Sequence, residues 1–312
     1  MRESIAKAVF PLFLLIAIGS TIGLVYKVEP FYTHYFLFIW WSFLMILDSS
    51  LYLAGGESLF IGSPLDSFLF LAPVSAFIWF IFECLNFRLQ NWAYVQLTPH
   101  LWVRWPGYFL AFSTVCPGLF LTANGLDRLG VFRKNEFSRF FAGKISLAAE
   151  KYIMSLGGAM LLLSLVYPKY CFPLIWGGFI FALDPLNARM RRHSLLEECI
   201  QGNWNRTLQL FLAGLLCGGL WELWNFWAGA KWVYTVPLPA ALWKHLKIFE
   251  MPVLGFLGFP PFALECFVMV EFVRGIKDGL SDRQWRTLAG AGFVLMLLAC
   301  KLLDQWTVAS FR

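Results

Sequence analysis

The chain has 312 residues, of which 59% are hydrophobic, 19% aromatic and only 14% charged, with a mean hydropathy of +0.64 and a formal net charge of +6. Soluble domains keep about a quarter of their residues charged, so a soluble globule, a disordered chain and a collagen are all excluded. The positive charge does not point to nucleic acid as a partner either, and an all-α polytopic membrane protein is expected.

Apolar runs near the roughly 20 residues needed to cross a ~30 Å hydrocarbon core fall at 8–26, 35–54, 67–87, 105–124, 146–167, 171–187, 207–228, 252–273 and 287–306. About nine transmembrane helices are therefore predicted. The first run follows Arg2 and Lys7, as a signal peptide would, but no small-x-small site comes before Tyr26 and Lys27, so it reads as a retained helix. Lys and Arg are about twice as frequent in the connections on the side of the N-terminus as in those on the other side. This bias places the N-terminus in the cytoplasm and the C-terminus outside, in a membrane of the bacterial inner type. The Arg189-Met190-Arg191-Arg192 stretch then reads as a topological anchor whose partners are anionic lipid headgroups.

Self-similarity is the most informative pattern. Phe82-Glu83-Cys84-Leu85-Asn86-Phe87, followed by Trp92-Ala93-Tyr94, recurs as Trp221-Glu222-Leu223-Trp224-Asn225-Phe226, followed by Trp232-Val233-Tyr234. Leu47-Asp48 is echoed by Leu183-Asp184, and His100-Leu101 by His245-Leu246. The spacing predicts two parallel four-helix repeats, 1–140 and 141–278, and an appended C-terminal helix within 279–312. Because Glu and Asn at i, i+3 share a helix face, Glu83 with Asn86 and Glu222 with Asn225 are expected to approach one cavity between the halves. The aromatic segments 88–104 and 229–251 are expected to lie along the outer interface as its wall or as an aromatic belt.

Intramembrane carboxylates are costly, so they mark cavities or partners. Glu222, Glu265, Glu250 and Glu83 are the predicted catalytic groups, because neighbouring carboxyls in an apolar chamber can divide the roles of acid and base. Asn86, Asn225, Trp92, Tyr94, Trp232, Tyr234, His100 and His245 are the predicted substrate-binding residues, with Trp faces suited to a cationic or polyene ligand. Gly255, Gly258, Pro260 and Pro261 predict a broken eighth span. Asp48 and Asp184 read as capping residues, and Lys301 and Asp304 as a mutually neutralising pair one turn apart.

The four histidines and seven cysteines show no metal-binding spacing, and the cysteines read as packing residues. No cofactor is legible. These features point to an intramembrane enzyme acting on a lipid or isoprenoid through carboxylate acid–base chemistry. A proton-coupled carrier of a small hydrophobic or cationic solute, and a non-catalytic subunit holding a quinone, pigment or partner helices, remain as alternatives.

Overall fold

The computed structural model describes residues 1–133, 147–236 and 246–312. Among these, nine helices are long and apolar enough to cross a membrane: α1 (Arg2–Val25), α2 (Tyr35–Leu53), α3 (Pro64–Leu89), α4 (Leu101–Arg128), α5 (Ala149–Val166), α6 (Pro168–Arg189), α7 (Asn205–Trp227), α8 (Val253–Asp278) and α9 (Asp282–Trp306). Each lies over one of the nine predicted runs, and the protein is an all-α polytopic membrane protein. The boundary expected between 140 and 141 lies outside the described residues.

Helix α1 packs on α2, α5 on α6, α7 on α8 and α4, and α9 on α3. With no hydrophobic drive between helices in lipid, close backbone approach replaces it. Gly157 of α5 shows this, because a Cβ there would strike the backbone of Gly178 and Ala182 in α6.

Several spans are interrupted, and in hydrocarbon every freed backbone group needs a partner. Helix α4 breaks between Leu101–Phe112 and Val115–Arg128. The Ser75 hydroxyl from α3 fills that gap, donating to Phe112 O at 2.7 Å and accepting from Cys116 N at 3.0 Å. Helix α6 kinks where Trp176 leaves helical geometry (φ −80°, ψ 19°). The Phe179 N–H beyond the kink bonds to Glu265 Oε1 at 3.0 Å. Helix α8 opens as a 3-10 turn, Val253–Gly258, before the regular helix Phe259–Asp278, as its Gly and Pro density predicts.

One end of the bundle is closed by extended chain. Strands β1 (Trp92–Val95) and β2 (Lys231–Tyr234) pair antiparallel, with Trp92 opposite Tyr234 and Tyr94 opposite Trp232. Residues 307–312 run beside β1, with Tyr94 N bonded to Thr307 O at 2.9 Å and Ala309 N to Tyr94 O at 2.7 Å. On the far side of β2, Gly229 N donates to Tyr32 O at 2.9 Å and Ala230 N to Thr33 O at 3.2 Å. Within the segments expected to form an interfacial wall, β1 and β2 are thus the centre of a small hydrogen-bonded lid. Trp92 and Tyr94 are only 7% and 8% exposed, whereas Trp102 is 93% exposed.

At the opposite end, Asp48 accepts Leu59 N (2.6 Å), Phe60 N (3.1 Å), Ile61 N (2.9 Å) and the Ser58 hydroxyl (2.9 Å). Asp184 accepts Leu195 N (3.1 Å), Leu196 N (2.8 Å) and the Ser194 hydroxyl (2.7 Å). Both carboxylates therefore cap loops, through a serine ten residues further along in each case. The pairing expected for Lys301 and Asp304 does not occur. Lys301 is exposed, and Asp304 faces α4, where Arg104 Nε and Nη2 each reach it at 2.8 Å, Trp105 Nε1 at 2.9 Å and the Tyr108 hydroxyl at 2.9 Å.

Candidate functional site

The site grows from two short sequence stretches that fold in the same way. In α3, Asn86 clamps the start of β1: its Nδ2 donates to Trp92 O at 2.9 Å, and its Oδ1 accepts from Asn91 N at 2.8 Å. In α7, Asn225 holds β2 likewise, with Nδ2 on Trp232 O and Oδ1 on Trp232 N, both at 2.9 Å. Alternate strand residues share a side, so each clamp turns the following Trp and Tyr back toward the Glu one helical turn before the Asn. Tyr94 donates to Glu83 Oε1 at 2.5 Å, and Trp92 Nε1 reaches the two carboxyl oxygens at 3.2 and 3.3 Å. Tyr234 donates to Glu222 Oε1 at 2.6 Å, and Trp232 Nε1 reaches the same oxygen at 3.3 Å. Asn86 and Asn225, expected to bind substrate, hold the strands instead.

The two carboxyls differ in two contacts, the first being that the Trp92 indole reaches both oxygens of Glu83 whereas Trp232 reaches only Oε1 of Glu222. Four residues before Glu83, Trp79 adds a third donor, its Nε1 lying 2.9 Å from Oε1. Four residues before Glu222 stands Gly218, where a Cβ would collide with the Phe259 ring. Because Trp232 reaches Oε1 alone, Glu222 Oε2 is buried with no hydrogen-bond partner among the described residues. Both Glu residues are fully buried. In the lid, burial foremost and then the adjacent carboxylate raise the Tyr94 and Tyr234 hydroxyls well above the ordinary tyrosine range, so both remain proton donors.

Beneath the lid lies a cavity of about 250 Å³, just under the roughly 300 Å³ at which small-molecule sites begin. Trp40, Trp79, Trp92, Trp176, Trp221 and Trp232 contribute to its wall. Phe262 is met edge-on by Trp79, Trp176 and Trp221, at centroid distances of 5.6, 5.8 and 6.1 Å. Glu222, Tyr94, Tyr234, Arg104 and Lys231 supply polar groups. Such a chamber can hold an apolar molecule and stabilise positive charge on it through indole faces, with the Glu222 carboxyl in its wall.

The other predicted site residues are placed differently. Glu83 sits behind Trp79, Trp92 and Tyr94, which line the cavity. Glu250 is bonded to Lys231 Nζ at 2.5 Å. Glu265 is fully buried against the α6 kink, with Oε1 on Phe179 N and Oε2 unpartnered, and it is not among the cavity-lining residues. His100 is exposed at the start of α4, and His245 lies outside the described residues. Among the described residues, no three His, Cys, Asp or Glu side chains are grouped to hold a metal ion. Sequence reasoning missed Trp79, although its i, i+4 spacing to Glu83 is a helix-face signal, and it missed Arg104, assigned to a connection rather than to a span.

Comparison with known protein families, with curated proteins and with solved structures finds no match to this chain.

Proposed function

We propose that this protein is an intramembrane enzyme that acts on a lipid or isoprenoid held in the aromatic cavity, with Glu222 as the acid–base group. The observation that carries this reading is the half-bonded state of Glu222: Tyr234 and Trp232 both donate to Oε1, while Oε2 is buried and unpartnered in a residue of the cavity wall. With Oε1 occupied by two donors, a proton on the carboxyl resides on Oε2, where it can pass to a bound molecule, and the ionised group accepts one at the same atom. Protonation of a carbon–carbon double bond there would form a C–H bond at one carbon and leave a cation at the other, beside the indole faces. Loss of a neighbouring proton to Oε2 would then complete an isomerisation or cyclisation. In this scheme Glu83 holds the lid, Glu250 neutralises Lys231 and Glu265 fills the α6 kink, so none of the three shares the proton-transfer step.

The same reading treats 1–140 and 141–278 as parallel repeats. Its support is the doubled Asn clamp, the doubled Asp–Ser loop cap, and strand pairing that exchanges Trp92 with Trp232 and Tyr94 with Tyr234 about a local two-fold. The excess of Lys and Arg at the opposite end favours a lid that faces outward.

A proton-coupled carrier is the second reading, favoured by the breaks in α4, α6 and α8 beside the cavity. The occupation of Asp48 and Asp184 by loop N–H groups weighs toward the enzyme, because a path across the membrane needs acceptors at both depths.

Mass-spectrometric comparison of lipid extracts from cells expressing the wild-type chain, the Glu222→Gln variant or neither tests the choice. An enzyme yields a lipid species that requires the wild-type chain and disappears with the variant. Identical profiles in all three would remove the enzymatic reading.

A further inference from the structure

The groups facing the cavity constrain the polar end of whatever occupies it. Among the described residues, the wall carries Arg104, Lys231 and His34; burial lowers the pKa of the His34 imidazole and so favours its neutral form, and neither of the two cations is free. Arg104 grips Asp304 with Nε and Nη2, each at 2.8 Å, and gives Nη1 to Thr98 O at 2.6 Å. Lys231 Nζ lies 2.5 Å from Glu250 and 3.3 Å from Phe226 O. Each cation thus arrives with its own carboxylate. The donors of the lid are committed too, since Trp92 and Tyr94 point theirs at Glu83, and Trp232 and Tyr234 at Glu222.

Among the described residues, two buried side-chain atoms of the lining remain without a partner: Glu222 Oε2 and Asn91 Oδ1. A carboxamide can turn either edge to a ligand, so Asn91 does not discriminate. Glu222 does, because a carboxyl offers no positive charge in either protonation state. A phosphate or carboxylate buried beside it would lack a counter-cation, which is strongly unfavourable. A hydroxyl or amine would satisfy Oε2, and an ammonium would gain further from the nearby Trp faces.

We infer that the cavity takes a lipophile whose polar end is an uncharged or cationic hydrogen-bond donor, an alcohol or an amine, and that it rejects phosphorylated, diphosphorylated and carboxylic lipids. The inference rests on the acid–base reading of Glu222 and narrows its substrate or product to one that carries a hydroxyl or amino group at the reacting end.

Four probes with one isoprenoid chain and different heads separate the possibilities: farnesol, farnesylamine, farnesoic acid and farnesyl diphosphate, each titrated against the full chain in detergent and counted by native mass spectrometry. The alcohol and the amine are expected to bind at least about tenfold more tightly than the acid and the diphosphate. Glu222→Gln is expected to weaken the amine by roughly tenfold, whereas Glu150→Gln, in the exposed pair with Arg189, leaves it unchanged. The ranking of heads on the unaltered chain stands whether or not the Glu222 variant folds. Diphosphate or acid binding as tight as that of the amine, amine binding that ignores Glu222→Gln, or no binding by either donor probe each overturns the inference. The lipid-extract comparison judges the acid–base reading separately, since it reads turnover and not affinity.

Discussion

Trp79 and Gly218 each stand four residues before a buried glutamate, and only the first reaches it: the Trp79 indole N–H lies 2.9 Å from Glu83, while nothing from position 218 approaches Glu222. Trp92 also reaches both oxygens of Glu83, whereas Trp232 reaches only Oε1 of Glu222, so one carboxyl is fully engaged and the other keeps an open oxygen. Glu83→Gln should therefore lower the unfolding temperature in detergent more than Glu222→Gln does, because the Gln amide cannot accept all three donors now aimed at Glu83. Trp79→Phe should cost about 0.5–1.5 kcal/mol, the net worth of one hydrogen bond, because Tyr94 and Trp92 still donate to the same oxygen. Equal losses for the two Gln variants would show that the third donor contributes nothing.

The Arg104–Asp304 pair ties α9 to α4, with side chains only 6% and 13% exposed. Breaking one side of a buried pair strands the other charge, so Asp304→Ala should destabilise by roughly 3–5 kcal/mol. Removing both, as Arg104→Ala with Asp304→Ala, should recover part of that loss, since no lone charge remains. Chemical unfolding of the two single variants and the double variant measures the coupling, and strictly additive losses would mean that the pair does not hold α9.

The nine spans were legible because the thickness of the bilayer imposes a length on every apolar run. The paired E-x-x-N-F and W-x-Y stretches were legible as a repeated pattern, but not as a strand pair. Four residues give too few alternations to read a strand, and the partner of Trp92 lies at Tyr234, far along the chain. Distance also hid Asp304. Lys301 was the plausible neighbour at i, i+3, but Asp304 turns toward Arg104, 200 residues away. The cavity wall was half legible: Trp92, Tyr94, Trp232 and Tyr234 stood out in the recurring stretches, Trp40 and Trp176 matched as Ile39-Trp40 and Ile175-Trp176 without being read as wall, and Phe262 looks like an ordinary span residue until the helices are packed.

Tyr94 and Tyr234 make alkaline pH informative. Their hydroxyls are raised, by burial first, well above the ordinary value of 10.0, so the unfolded chain releases these protons before the folded one does. Above pH ~10 the folded state binds more protons, and stability falls as pH rises by up to about 1.4 kcal/mol per pH unit for each tyrosine. Below pH 10 their contribution is constant. The double variant Tyr94→Phe with Tyr234→Phe should flatten the decline in unfolding free energy between about pH 10 and 11.5, whatever its stability at neutral pH. An unchanged slope would place both hydroxyls in ordinary solvent.

The last six residues bind the site chiefly through a backbone ladder, to which Ser310 Oγ adds a bond from Gln96 N and the Phe311 ring a contact with Arg104. Tyr94 N and Leu97 N donate to Thr307 O (2.9 Å) and Ser310 O (3.2 Å), and Ala309 N and Arg312 N return bonds to Tyr94 O (2.7 Å) and Leu97 O (2.8 Å). Arg312 also ties this segment to Glu29 and Thr33. Deleting residues 307–312 leaves β1 paired only to β2, as an edge beside the cavity wall formed by Tyr94, Leu97 and Thr98. Amide exchange across 92–98 should then accelerate by roughly tenfold or more, equivalent to ~1.4 kcal/mol of easier local opening. Arg312→Ala alone, which keeps the backbone ladder, should change it much less. Hydrogen-exchange mass spectrometry on the peptide covering β1 distinguishes the two variants. Equal acceleration in both would assign the strapping to the Arg312 side chain, and unchanged exchange after the deletion would mean that the lid stands without the segment.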